Sequence, residues 1–167
     1  MKFSPAITIS LIKLDLSYCG LSTEVLAKFL ENNFRLFSLQ KLLLEHNYIK
    51  SDIFDKLLSD EIILENLNCL DLSYNDIGCE QYEENEFLIK FIKKYTNLKS
   101  IKLIITNFFN FWNLNLDNKE KDFKRLYTDL LNDLKVKNRA FKFVIEDNEK
   151  DYFMENRFSD LFEFKNH

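Results

Sequence analysis

An internal repeat restricts this chain more than any other feature of it. Leu14, Leu42 and Leu70 stand 28 positions apart, and so do Leu16, Leu44 and Leu72. The same interval relates Leu11, Leu39 and Leu67, then Cys19, Asn47 and Asn75, then Leu21, Ile49 and Ile77. The intervening segments repeat as well: Val25, Leu26, Phe29 and Leu30 become Ile53, Phe54, Leu57 and Leu58, and Thr23-Glu24 becomes Ser51-Asp52. Apolar residues at i, i+1, i+4 and i+5 make one face of a helix. A hydroxyl residue followed by an acid suits the helix start, where free N–H groups and the dipole favour both. The short leucine runs alternate with period 2, so Leu14-Asp15-Leu16 predicts a strand with two leucines inward and one residue out. One such strand and one helix cannot bury their apolar faces alone. The units must therefore stack, strands into a parallel sheet and helices into an outer layer. Cys19, Asn47 and Asn75 then form a ladder, with the Asn side chains pairing backbone groups of the turns.

Leu-x-x-Leu-x-Leu-x-x-Asn/Cys-x-Leu, repeated over residues 11–77, resembles the leucine-rich repeat family. With a 28-residue period and a helix in each unit, it is most similar to the ribonuclease-inhibitor and RanGAP-like subclass. The resemblance implies an α/β leucine-rich repeat solenoid, a horseshoe with a parallel β-sheet on the concave face and helices on the convex face. It also implies a protein-binding role without catalysis.

The repeat loosens beyond residue 77. A fourth unit carries Leu98, Ile101, Leu103 and Thr106, with Ile101 31 positions after Leu70. Its helix keeps an apolar face of Phe87, Leu88, Phe91 and Ile92, so the extra length is expected in an acidic loop from Glu80 to Glu86. A fifth strand is expected at Phe141-Lys142-Phe143, after a long helix carrying Phe123, Leu126, Tyr127, Leu130, Leu131 and Leu134. A last helix is expected over 150–165, with Met154, Phe158, Leu161 and Phe162 on its apolar face. Residues 1–106 thus read as about four repeats with a very short N-terminal end, and 107–167 as a modified repeat and cap. Phe108 to Trp112 is assigned to the cap core, with an aromatic docking patch as the alternative. Only ten residues precede Leu11, so the first strand's outer edge is expected either to be blunted by Pro5, which cannot donate to a sheet, or to be covered by another chain of a larger assembly.

Outward strand positions line the surface that stacked repeats use for binding. The central row is Asp15, Leu43, Asp71, Lys102 and Lys142. Beside it run Ser17, Glu45, Ser73 and Ile104, then Tyr18, His46, Tyr74 and Ile105. Lys13, Lys41, Cys69 and Ser100 form the opposite flank. From these rows the expected partner-binding residues are Lys13, Asp15, Ser17, Tyr18, Lys41, Leu43, Glu45, His46, Asp71, Ser73, Tyr74, Lys102 and Ile104. Aromatic rings beside carboxylates suit a protein partner, since rings give anchoring area and charges give orientation.

Other chemistries lack their residues. With 23 Lys and Arg against 27 Asp and Glu, the net charge of -4 opposes a general nucleic-acid binder. A cluster of Lys90, Lys93, Lys94, Lys99 and Lys102 keeps ribosome or RNA association as the alternative. His46, Cys69 and Asp71 match a thiol triad by type, but Cys69 lies five positions from His46 in strand register, roughly 16 Å at ~3.3 Å per residue. A base must stand within about 3 Å of its nucleophile or one water away. Two His and three scattered Cys give no zinc spacing. The two glycines, Gly20 and Gly78, are isolated, so no phosphate loop is formed. Neither catalytic residue, metal nor cofactor is expected. A GTPase-activating role lacks an arginine on the strands, and a ubiquitin-ligase receptor role lacks an F-box segment. Three cysteines make no disulfide framework and are read as buried reduced thiols. With no secretion signal and no bilayer-length apolar run, the chain is expected to be intracellular, in the cytoplasm first, with the nucleus left open.

Overall fold

The computed structural model describes residues 11–31, 36–78, 82–104, 117–137, 139–146 and 161–165. Among these, strands and helices alternate: β1 (Lys13–Asp15), α1 (Thr23–Glu31), β2 (Lys41–Leu43), α2 (Ile53–Leu57), β3 (Cys69–Asp71), α3 (Tyr82–Lys94), β4 (Ser100–Lys102), α4 (Asp117–Val136), β5 (Lys142–Glu146) and β6 (Phe162–Lys165). The strands form one α/β sheet in sequential order, β1 to β6, with every neighbouring pair parallel. Leu14, Leu42, Leu70, Ile101 and Phe143 stand opposite one another in that register. The repeat in the sequence is therefore the lateral step of the sheet.

Strand centres and helix faces meet in one core. Leu42, Leu70, Ile101 and Phe143 are fully buried with Leu26, Phe54, Phe91 and Tyr127 from the four helices. Each such side chain contributes about 1.5–3 kcal/mol of burial, offset by the ordering of its backbone. The core and the sheet run continuously across residue 106, where the sequence reading drew a boundary.

Three-residue strands carry few ladder bonds, and the turns are tied by side chains instead. Asn47 Nδ2 donates to Leu16 O and Leu44 O at 2.9 Å each, while its Oδ1 accepts from Leu21 N at 2.9 Å and Cys19 N at 3.2 Å. Asn75 repeats this one unit later, donating to Leu44 O at 2.8 Å and accepting from Ile49 N at 3.0 Å. Thr23 and Ser51, expected to serve the helix starts, act between units. Thr23 Oγ1 accepts from Lys50 N at 2.9 Å, and Ser51 Oγ bonds both the N–H and the carbonyl of Gly78. Later units use longer reaches. Lys94 Nζ donates to Leu58 O and Ser59 O just after α2. Arg139 donates to Ile92 O in the last turn of α3 and to Tyr95 O and Leu98 O in the loop after it.

Several expectations need correction. The first strand is Lys13–Asp15 rather than 14–16, although Leu16 N continues the ladder to Leu43 O. Val25 is 53% exposed, unlike its counterpart Ile53, because α1 has a described helix on one side only. α3 starts at Tyr82, so most of the supposed acidic loop is helix. β5 sits two residues later than expected, with Phe143 opposite Ile101; Lys142 pairs with Ser100, and Val144 takes the place assigned to it beside Lys102. Residues 162–165 are strand, not helix, since Phe162-Glu163-Phe164 alternates with period 2. Cys19 is exposed and Cys69 half-buried, so these two thiols are not core. Thr106, the Phe108–Trp112 segment, Cys79 and the first ten residues lie outside the described residues.

Two predictions follow from the core. Leu42→Ala should lower unfolding free energy by about 2–5 kcal/mol in urea titration, through a cavity between neighbouring strands. The buried Tyr95 hydroxyl, placed to donate to Leu57 O at 2.8 Å and Ile62 O at 3.1 Å, has its pKa pushed by burial from 10 to about 12. A raised folded-state value means its contribution is intact below pH 10 and is lost as pH climbs toward 12. Stability measured across that window should fall, and Tyr95→Phe should remove this component of the fall.

Candidate functional site

The strand positions on either side of the buried centres face away from the helices. Their rows follow the sheet register: Lys13, Lys41, Cys69, Ser100 and Lys142; then Asp15, Leu43, Asp71, Lys102 and Val144. Charges on this face pair internally. Lys13 Nζ is 3.1 Å from Asp15 Oδ2, and Lys102 Nζ is 3.0 Å from Asp71 Oδ2. Hydrogen bonds from Ser17 first, and Lys13 beside it, hold the Asp15 carboxyl below its ordinary pKa. Partial burial works against the Lys102 ammonium, but the hydrogen bond and attraction from Asp71 outweigh it and leave the pKa raised.

Past the strands the ladder continues through main-chain bonds. Tyr18 N donates to Glu45 O at 2.9 Å, His46 N to Ser73 O at 3.1 Å and Tyr74 N to Ile104 O at 2.8 Å. The chain then turns sharply, with Tyr18, His46 and Tyr74 at φ of 59°, 52° and 57°. For residues with a Cβ this left-handed backbone costs roughly 1–2 kcal/mol each. In the second and third units the next residue is Asn47 or Asn75, whose buried carboxamide fixes the turn. The rings consequently project in one file. Tyr18 and His46 stack with centroids 4.3 Å apart, and His46 and Tyr74 with centroids 4.0 Å apart, at interplanar angles of 19° and 10°. Offset stacking of this kind adds about 0.5–1.5 kcal/mol per pair beyond area burial. Tyr18 stays 70% exposed at the outer end of the file.

The expected contact residues divide. Lys13, Asp15, Tyr18 and Lys41 are exposed; Ser17, Leu43, Glu45, His46, Tyr74, Lys102 and Ile104 are half-buried. Asp71 and Ser73 are corrected. Asp71 is only 6% exposed, taking Lys102 and the Ser73 N–H, while the Ser73 hydroxyl accepts from Ile104 N. Their polar atoms serve the fold rather than the surface. Val144, in the last place of the same row, is also buried. Ile105 lies outside the described residues. Tyr48 escaped the sequence reading; it is 71% exposed, and its ring borders Gly20, whose own φ is +65°. No sequence signal marked it beyond an aromatic residue after the ladder Asn.

The lysine cluster does not form one patch. Lys90 pairs with Glu86 at 3.1 Å, Lys94 is held on carbonyls just after α2, and Lys102 points to the opposite side of the sheet from α3, on Asp71. Cys69 pairs with Lys41, whereas His46 reaches Ser73, so the thiol and imidazole stand at different levels of the sheet. Among the described residues no group of three or more His, Cys, Asp or Glu is placed to hold a metal ion, and no helix is long and apolar enough to cross a membrane.

No family model matches the chain, and no curated protein matches it in sequence.

The backbone at Tyr18 yields a stability prediction of unusual sign. Tyr18→Gly should be more stable than Tyr18→Ala by about 1 kcal/mol, because only glycine escapes the left-handed penalty. Parallel urea denaturation of the two variants measures the difference.

Proposed function

We propose that the chain is a non-enzymatic protein-interaction module, a leucine-rich repeat solenoid similar to the ribonuclease-inhibitor and RanGAP-like subclass. In this reading residues 1–106 supply about four repeats, 107–167 supply a modified repeat and cap, and the strand face grips another protein. The observation that supports it best is the file of three stacked rings, Tyr18, His46 and Tyr74, standing exposed or half-exposed at one position of successive units. Three left-handed residues carry a backbone cost that stacking only partly offsets. Such strain is well used where it presents rings to a partner. The flanking carboxylates and lysines give that partner its orientation. We place the protein inside the cell, in the cytoplasm, where the exposed Cys19 thiol stays reduced. A role as a small subunit of a larger assembly is part of the same proposal.

The test is affinity purification from the native cell with mass spectrometry, comparing the wild-type chain with a Tyr18→Ala/Tyr74→Ala double variant. Wild type should recover a defined protein partner that the double variant loses, while both unfold cooperatively in thermal scans. Equal recovery by the two would refute binding through this face.

A further inference from the structure

Among the described residues, the strand face leaves Glu45 with no lysine at ion-pair distance. Asp15 is taken by Lys13 and Asp71 by Lys102. Glu45 is left with His46, whose Nε2 is 3.8 Å from Glu45 Oε1, too far for a hydrogen bond. Lys41, the cation on Glu45's own strand, stands four residues back, about 13 Å at ~3.3 Å per residue. Glu45 stands one register step from Tyr18: its carbonyl accepts from Tyr18 N at 2.9 Å, and its carboxylate lies against His46, the ring stacked on Tyr18. Among the described residues, a half-buried acid with no cation in hydrogen-bonding contact, and attracted by Lys102 only from a distance, thus lies one register step from the exposed end of an aromatic file.

We propose that Glu45 and the Tyr18 ring form a docking point for an arginine side chain of a protein partner. The inference rests on the reading of this face as a protein-binding surface and specifies its chemistry. Aromatic faces attract cations, and a carboxylate next to them completes the charge. Arginine fits better than lysine for two reasons. Its planar guanidinium lies flat against a ring, and its paired N–H groups match both carboxylate oxygens at once. An acidic side chain would meet Glu45 unscreened, and an apolar one would leave that carboxylate partly desolvated without a partner.

The probe is a capped tripeptide, acetyl-Gly-Arg-Gly-amide, with its lysine counterpart as control, titrated against the full chain by NMR at fixed pH. His46 and His167 are the two imidazoles, so the His46 ring signals report the file while His167 serves as an internal reference. The arginine peptide should shift the His46 signals saturably, with affinity about fivefold above that of the lysine peptide. Glu45→Gln and Tyr18→Ala should each weaken that affinity by about fivefold, in proteins that keep wild-type spectra elsewhere. Equal shifts from both peptides, an unchanged response in Glu45→Gln, or no shift of His46 would each overturn the proposal. The outcomes separate from those of the broader reading. A partner captured in a Tyr18- and Tyr74-dependent way without any arginine response removes this docking point but leaves the binding face. An arginine response in a chain whose captures ignore both tyrosines keeps the docking point and removes the face as the partner's site.

Discussion

Buried carboxamides fix the turns that follow the second and third strands. Three-residue strands offer too few main-chain bonds to lock one turn of the chain on the next. Asn47 and Asn75 make up the difference, each donating to carbonyls in two consecutive units and accepting an N–H from the unit before. A side chain with both donors and an acceptor is needed for this, and no aliphatic residue of similar size could satisfy the same groups. Because the carboxamide fixes the turn, the residue just before it is held in left-handed backbone, and its side chain has one direction left to take. Tyr18, His46 and Tyr74 stack because the turns beneath them repeat.

The layout of charge follows from the same repetition. Rows built at a common register bring unlike residues of neighbouring strands within reach, as Asp71 and Lys102 show. Where unlike charges meet across strands, as Asp71 and Lys102 do, they neutralise each other and the acid is buried. Where they do not, as at Glu45, a charge is left facing outward among rings. The functional proposal depends on that contrast between the two cases.

Much of this was legible in the sequence. The 28-residue spacing of Leu14, Leu42 and Leu70 announced the register, and the fourth strand at Ile101 followed from the same pattern. The rows containing Tyr18, His46 and Tyr74 could be written before any coordinate was known. Their stacking could not, because it depends on a positive φ that no tyrosine or histidine signals. Nor could the burial of Asp71 and Ser73, which comes from partners across strands rather than from their own polarity. Beyond Ile101 the pattern misled. The alternating phenylalanine and charge of 162–165 fit a helix face as well as a strand, and β5 admits a register two residues earlier, since either keeps Phe141 and Phe143 inward. Period 2 gives the facing of a strand but not its offset.

Successive strand centres are separated by 28, 28, 31 and 42 residues along the chain, yet each lies one hydrogen-bonded step from the last. All the added length is carried in the connecting arms, which grow from the five-residue α2 to the 20-residue α4. The sheet therefore works as a ruler whose gradations, about 4.8 Å apart, do not record how much chain lies between them. A lineage of such chains could lengthen its arms freely and still offer every ring and charge at the same pitch.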